Sequence, residues 1–471
     1  MTLNHILFFS AAALAAGLLS RPRWRANLLL LGSVLAIYWL QPSTPIRNLD
    51  FWLPTATLAV SVLVWAVTRP AETANSRQDL HTGIVLTLAV AGIGLARYLG
   101  PLCCLTPTRP PQAAQVLPVV ALAAVLIWLA GRFFSGRASA LNLISAALLA
   151  LFIILKTEPL AAAASAWLRS RTGQSTAFAS PLDIRWLGFS YVAFRLLHTL
   201  RDRLNGRLPG LSLSALVTYV IFFPAFTAGP IDRVQRFSKD LEADFRLDAE
   251  TVWRAGRRVL LGIFKKFVLA DSLALIALSP ENALQTASPL WMWTLVYAYA
   301  LRLYYDFSGY TDIAIGLGQL LGVQLPENFT QPYRKANLTA FWNSWHITLA
   351  QWFRAYFFNP LTRTLRSGGR QWPLAAIVFA GQLGTMILIG LWHGVTWNFF
   401  IWGLWHGLGL FIHNRWAEFT KGRSSRLDPR LANLGGVLLT FHYVALGWVW
   451  FALPLPAQSW HTLQTLLGLA G

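Results

Sequence analysis

The run Ala138-Ser-Ala-Leu-Asn-Leu-Ile-Ser-Ala-Ala-Leu-Leu-Ala-Leu-Phe-Ile-Ile-Leu155, closed by Arg137 before it and Lys156 after it, decides the fold class. It holds no ionisable side chain, and coiled as an α-helix it is roughly 27 Å long at 1.5 Å per residue. A bilayer's hydrocarbon core is about 30 Å thick, and a helix is one of the two backbone forms that satisfy themselves there. Upstream, similar runs occupy residues 3–19, 27–40, 51–68, 82–99 and 116–130. Downstream they occupy 186–200, 211–228, 256–278, 290–305, 373–392, 396–413 and 431–453. The pattern predicts an all-α polytopic membrane protein with about 11–13 membrane segments, re-entrant helices among them. Residues 3–19 lack the basic start of a signal peptide and are expected to stay as a helix.

Composition agrees. The chain is 55% apolar and 13% aromatic but only 12% charged, where a soluble domain carries about 25% charged residues. Soluble enzymes, disordered regulators and secreted disulfide scaffolds are excluded. The two cysteines, Cys103 and Cys104, are adjacent, which suits neither zinc nor thioredoxin spacing. Net charge is +20, from 39 Lys+Arg against 19 Asp+Glu. No basic stripe interleaved with stacking aromatics accompanies it, so nucleic acid is not an expected partner.

The basic residues fill short gaps between apolar runs, where they set topology. Arg21, Arg23 and Arg25 occupy the first gap, Arg47 alone the second, Arg69 and Arg77 the third, Arg109 alone the fourth, and Arg132 and Arg137 the fifth. This alternation places the N-terminus outside the cytoplasm. The gap 156–185 is basic yet falls outside, and an interfacial helix near 160–168 is expected there. Only six of the 39 cations are Lys, an Arg bias of GC-rich bacterial coding.

Ionisable residues inside membrane segments are costly and therefore candidates for function. Three stretches concentrate them: Asp306-Phe-Ser-Gly-Tyr310-Thr-Asp312, Phe341-Trp342-Asn343-Ser-Trp345-His346 and Gly390-Leu-Trp392-His393-Gly394. Glycines 309, 316, 318 and 322 crowd the first region. Burial disfavours imidazolium and keeps a neutral imidazole available as a base. A lone histidine in apolar surroundings is more commonly a structural hydrogen bonder. His393 stands apart because Gly390, Gly394, Trp392 and Trp397 form a small-plus-bulky pattern that admits a substrate; its residues alone leave both readings open.

His406 and His413 lie seven apart, whereas metal pairs on a helix usually lie three or four apart, so no metal site is expected. His198 reads as an interfacial anchor. Asp306 and Asp312, six apart, fall on opposite sides of a helix and make a poor acid/base dyad; capping or bonding to neighbouring helices suits them better. No Walker loop, dinucleotide fingerprint or Gly-x-Ser-x-Gly elbow stands in a suitable context.

Eight motifs follow one another in order: Gly188-Phe-Ser-Tyr-Val-Ala-Phe194, Phe222-Phe-Pro-Ala-Phe-Thr-Ala-Gly-Pro-Ile231, Gly262-Ile-Phe-Lys-Lys-Phe-Val-Leu-Ala-Asp271, Tyr305-Asp-Phe-Ser-Gly-Tyr-Thr-Asp-Ile-Ala-Ile-Gly316, Pro326-Glu-Asn-Phe-Thr-Gln-Pro-Tyr333, Phe341-Trp-Asn-Ser-Trp-His-Ile-Thr-Leu349, Gly390-Leu-Trp-His-Gly394 and Gly447-Trp-Val-Trp-Phe451. Together they resemble the membrane-bound O-acyltransferase family, in the bacterial branch of alginate O-acetylation and D-alanyl lipoteichoic acid transfer. The resemblance implies divergent N-terminal transmembrane helices over 1–180, an acyltransferase core over 181–453 and a C-terminal tail over 454–471. It also implies a helical shell around a thin core whose tunnel joins a cytoplasmic donor side to an outer acceptor side.

The family's two hallmark positions fall on His393 and His346, the implied catalytic residues. A neutral His393 would take the acceptor hydroxyl's proton, and His346 would orient it or stabilise oxyanion charge. Asn343, Trp342, Trp345, Trp392, Trp397, Asp306, Asp312 and Tyr310 are the implied tunnel lining. No bound cofactor or metal is implied; acetyl-CoA or an acyl carrier thioester is the donor substrate, and an extracytoplasmic polysaccharide is the acceptor. A separate hydrolase-like acyl-relay protein outside the cytoplasm is the expected partner, and a bacterial inner membrane the location. The chain departs from the family at Ser344, Ala355 and Ala452, where charged residues are usual.

D-alanyl transfer from an acidic carrier protein is the alternative within the family. Outside it stand a proton-coupled transporter using Asp306, Asp312 and the histidines, which inverted repeats would favour and none are read, and a non-catalytic export scaffold, against which both histidines argue.

Overall fold

The computed structural model describes residues 2–19, 22–70, 76–368, 371–422 and 428–469. Arg21, counted above as a topology charge, lies outside them. Regular structure among the described residues is helical, and strand-like pairing is confined to one isolated bridge between Phe329 and Trp345. Six helices are long and apolar enough to cross a membrane: Leu49–Thr68, Arg77–Tyr98, Ala113–Phe134, Ala138–Lys156, Leu374–His393 and Pro429–Ala452. Two shorter apolar helices, Leu3–Leu19 and Trp24–Leu40, join them. The Ala138–Lys156 helix leaves Leu143 71% exposed, which water would penalise and lipid does not. This is a multi-pass, all-α membrane protein.

Several other apolar runs are helices whose burial is internal. Phe189–Leu204 encloses Phe194, Leu196 and Leu200, but also Arg195, His198 and Asp202. A run of apolar residues marks burial without saying whether lipid or protein covers it.

The chain divides into two compact units, residues 1–259 with 313–325, and residues 260–312 with 326–471. The first unit buries one of the cations that the sequence presents as topology charges. Arg25 is 3% exposed and donates to the carbonyls of Leu321, Gly322, Asp240, Leu241 and Ala243 at 2.8–3.3 Å. Five donors in a rigid fork suit this gathering of carbonyls at two helix ends.

A helix does occupy the basic 156–185 gap, Glu158–Arg171, with Leu160 and Trp167 exposed. One charge of that gap is neutralised internally, since Arg169 Nε donates to Asp183 Oδ2 at 2.8 Å. Burial pushes the Asp183 carboxyl up, but bonds from Arg169, Ser165 and the Ser180 amide outweigh it and hold it below the usual range.

Arg195 serves a helix break in the same way. Leu213–Ile221 gives way to the short Phe223–Phe226 turn, where Pro224 has no N–H to offer. Arg195 donates to the carbonyls of Val220 and Ala225, both at 2.6 Å. His198 is a correction to the interfacial reading. It is buried against Tyr219 and accepts from the Val234 amide at 3.4 Å through Nε2. A cavity of about 630 Å³ also lies in this unit, lined by apolar residues such as Trp65, Leu86, Ile127 and Trp128. Asp79 at its edge is engaged by the Ser76 hydroxyl and the Leu213 amide, which leaves a greasy cleft without chemistry.

In the second unit, close helix contacts place the site. Leu374–His393 and Trp397–Thr420 form a tight antiparallel pair. A Cβ at Gly390 would strike the Phe399 carbonyl, and one at Gly403 would lie 2.6 Å from the Met386 carbonyl. Gly390 therefore makes room for the neighbouring helix, where the sequence suggested room for a substrate. Gly394 makes room for the Phe399 ring. The end of the chain is tied in as well: Asn398 Nδ2 donates to the Leu453 carbonyl at 2.6 Å and to Ser459 Oγ at 2.9 Å, the latter on the Pro456–Leu466 helix.

Candidate active site

His346 is aimed by backbone. Asn337 caps the short Leu338–Trp342 helix by accepting from the Ala340 amide at 2.8 Å. The chain then turns, and His346 takes φ 42° and ψ 52° before the Ile347–Phe353 helix. A non-glycine residue pays about 1–3 kcal/mol for such a conformation. Cross-chain bonds hold it there: the Ile347 amide donates to the Asn328 carbonyl and the Thr330 amide to the Ser344 carbonyl, both at 3.0 Å. The ring that results is 4% exposed. It meets Phe307 edge-on at 4.7 Å and Trp392 at 6.1 Å between centroids.

His393 is the last residue of Leu374–His393, one turn beyond Gly390, so it faces the partner helix that Gly390 admits. Its half-buried ring meets Trp392 at 4.5 Å, Phe451 at 4.7 Å, and Phe399 and Trp402 at 5.8 Å each. Both histidines thus contact one indole, Trp392. The walls are aromatic, and an imidazole set among them can take and return a proton.

The other sequence-read residues separate into three groups. Trp342 and Trp345 are buried near the cluster: Trp342 packs on Trp402 and His406, and Trp345 packs on Tyr304, Phe329, Tyr333, Phe341 and Trp448. Asn343 is exposed and accepts from Arg354 Nη2 at 2.8 Å, while Trp397 is 71% exposed beside Phe400. Asp312 pairs with Lys265 at 2.6 Å and Asp306 with Lys266, so both carboxylates meet adjacent lysines of one stretch, where their spacing suggested opposite sides of the helix. Tyr310 lies between them, half-buried, on the same Pro289–Leu320 helix.

The two lysines come from the π-helical stretch Phe264–Ala270. Gly309 brings the helices together, since a Cβ there would lie 2.7 Å from the Gly262 carbonyl. His406 is enclosed by Trp342, Trp402, Trp448 and Tyr443, whereas His413 faces Thr339 Oγ1 at 3.2 Å. They form no pair. Ser344 is buried and donates to the Ala340 and Phe341 carbonyls.

Phe399 and Trp402 were not singled out from sequence, and Phe307, Asn328 and Phe451 stood there only as members of longer motifs. The Asn328 side-chain oxygen lies 3.1 Å from His346 Nδ1.

The sequence model of the membrane-bound O-acyltransferase family matches residues 113–453 of this chain. The chain belongs to that family. Among its relatives is the teichoic acid D-alanyltransferase of Streptococcus thermophilus, 29% identical over 57% of this chain and 68% of the relative. The peptidoglycan O-acetyltransferase of Helicobacter pylori is 32% identical over 55% of this chain and 48% of its own length. A protein of Pseudomonas aeruginosa named probable alginate O-acetylase is 33% identical over 59% of this chain and 51% of its own. Matching segments thus span about half the length of the two O-acetyl relatives. As a membrane-bound O-acyltransferase the chain is an enzyme of acyl transfer, and its apolar helices and the family agree on a multi-pass membrane setting.

Proposed function

We propose that this enzyme moves an acetyl group from a cytoplasmic thioester, acetyl-CoA, across the bacterial inner membrane toward hydroxyls of an extracytoplasmic polysaccharide, with His346 and His393 as the reacting pair. The observation that carries this reading is the contact of both imidazoles with Trp392 inside one aromatic enclosure. One histidine takes the proton as the acceptor oxygen attacks the thioester carbonyl. The dry walls favour an alcohol over water as the attacking group. The higher identity to relatives named for O-acetylation than to those named for D-alanyl transfer supports acetyl as the group moved. A separate hydrolase-like protein outside the cytoplasm relays the group, and the basic cytoplasmic gaps attract the CoA phosphates.

Inverted membrane vesicles test the reading. They carry wild-type or His393→Ala protein, enclose periplasmic extract and envelope glycan, and receive radiolabelled acetyl-CoA outside. Label on lumenal glycan with the wild type alone is the expected result. Equal labelling with His393→Ala overturns the assignment of the site. Label that appears only from a D-alanyl carrier thioester overturns acetyl as the group and acetyl-CoA as the donor.

A further inference from the structure

We propose that Asn328 is a positioning residue that locks His346, one member of the reacting pair, in the tautomer with its Nε2 lone pair free. The proposal rests on reading the His346–Trp392–His393 cluster as the site of acyl transfer.

The orientation of the Asn328 amide follows from what surrounds it. Its Oδ1 lies 3.2 Å from the Thr348 amide nitrogen, 2.9 Å from the Thr348 hydroxyl and 3.1 Å from His346 Nδ1. A backbone N–H only donates, so the atom facing it is the oxygen. An oxygen at that point makes His346 Nδ1 a donor as well. A neutral imidazole carries one proton, so Nε2 holds the lone pair. That nitrogen is buried and has no hydrogen-bond partner among the described residues. Asn328 itself is fully buried, and its carbonyl also receives the Ile347 amide at 3.0 Å. One residue thus grips the backbone after His346 and the ring of His346. The left-handed conformation at His346 is held where it aims that ring between Phe307 and Trp392.

The step balances. The acceptor oxygen bonds to the thioester carbonyl carbon while its proton passes to the His346–His393 pair, in which Nδ1–H donating to Asn328 Oδ1 keeps His346 Nε2 an acceptor. The C–S bond then breaks, the leaving sulfur takes the proton back from the pair, and ester, thiol and two neutral imidazoles remain. Titratable and charged groups on the elements around His346 are Tyr297, Tyr299, Arg302, Tyr304, Tyr305, Asp306, Tyr310 and Asp312 on the Pro289–Leu320 helix, Glu327 beside Asn328, Arg354 after the Ile347–Phe353 helix, and His393 next to Trp392. Asp306 and Asp312 carry their own lysines.

The test measures acyl transfer against pH in the vesicles above for wild type, Asn328→Leu, Asn328→Asp, His346→Ala and His393→Ala. Asn328→Leu keeps the volume and loses the acceptor; turnover is expected to fall about 10²-fold or more, with KM for the donor within about threefold. Asn328→Asp keeps an acceptor oxygen and adds charge that favours imidazolium. It is expected to recover turnover relative to Asn328→Leu and to move the acid limb of the profile upward by about one pH unit. An acid limb that stays at the wild-type position in Asn328→Asp, or wild-type turnover in Asn328→Leu, overturns the proposal. If Asn328→Leu does not accumulate, the Asn328→Asp profile decides by itself. Transfer that also survives in His346→Ala and His393→Ala overturns the site reading; loss in those two with unaltered Asn328 variants overturns the tautomer lock alone.

Discussion

Two polar clusters sit in apolar surroundings in the second unit, and they are built on opposite terms. In one, Lys265 and Lys266 answer Asp312 and Asp306, charge for charge. In the other, His346 and His393 lie among rings, and His346 presents a nitrogen with no partner. A carboxylate or ammonium away from water needs a counter-charge, because the desolvation cost of a lone ion is several kcal/mol. An imidazole escapes that demand by staying neutral. The paired cluster has its chemistry satisfied within the fold, whereas the other leaves His346 Nε2 open, where the proposed reading places the acceptor. The sequence ranked both as candidates by the same rule, that ionisable residues inside membrane segments signal function; the presence of partners is what separates them.

The contrast breaks most directly at the histidines. His393→Ala and His346→Ala are each expected to lower acyl transfer about 10²–10⁴-fold, the usual worth of general acid–base catalysis, with protein level and detergent melting temperature unaltered. Wild-type transfer in either variant would remove that residue from the reacting pair. Gly390→Ala comes next. It drives a Cβ into the Phe399 carbonyl, an overpacking that costs about 1–3 kcal/mol or more, so the melting temperature and activity should fall together. A normal melting temperature with altered donor KM would show that Gly390 makes room for substrate after all.

At the paired cluster, Lys265→Ala removes the lysine that answers Asp312 and should destabilise by about 2 kcal/mol, read as a lower melting temperature. The reversed pair, Lys265→Asp with Asp312→Lys, should restore most of it. Restored stability with no transfer would make the cluster chemical as well as structural. The smallest effects belong to Trp397→Ala and Asn343→Ala, whose side chains are exposed. Turnover within about twofold of wild type is expected, the scale of surface substitutions, and a loss beyond tenfold would put either residue back in the substrate path.

How legible the site was follows from chain distance. Trp392 and His393 are neighbours, and the glycines flanking them mark a helix end, so their association was readable. Asn328 lies 18 residues before His346 in a stretch whose pattern signals only turn and loop. Nothing local tells that its amide reaches an imidazole. Phe307, Trp402 and Phe451 stand on three separate helices, and a ring in a membrane helix looks alike whether it faces lipid, core or site. Arg25 misled in the other direction. Its position between apolar runs is that of a headgroup-facing charge, yet five backbone carbonyls take it inside.

By itself, the sequence determined the solvent, the helical class and the family. These depend on run length, missing charge and short-range motif order, which a linear reading contains. Tertiary structure alone decided which polar residues are matched and which are left open, that Gly390 serves helix packing, and that Asn328 holds His346. Those outcomes depend on which groups meet across tens or hundreds of residues, because a polar group in a low-dielectric interior is defined by its partner.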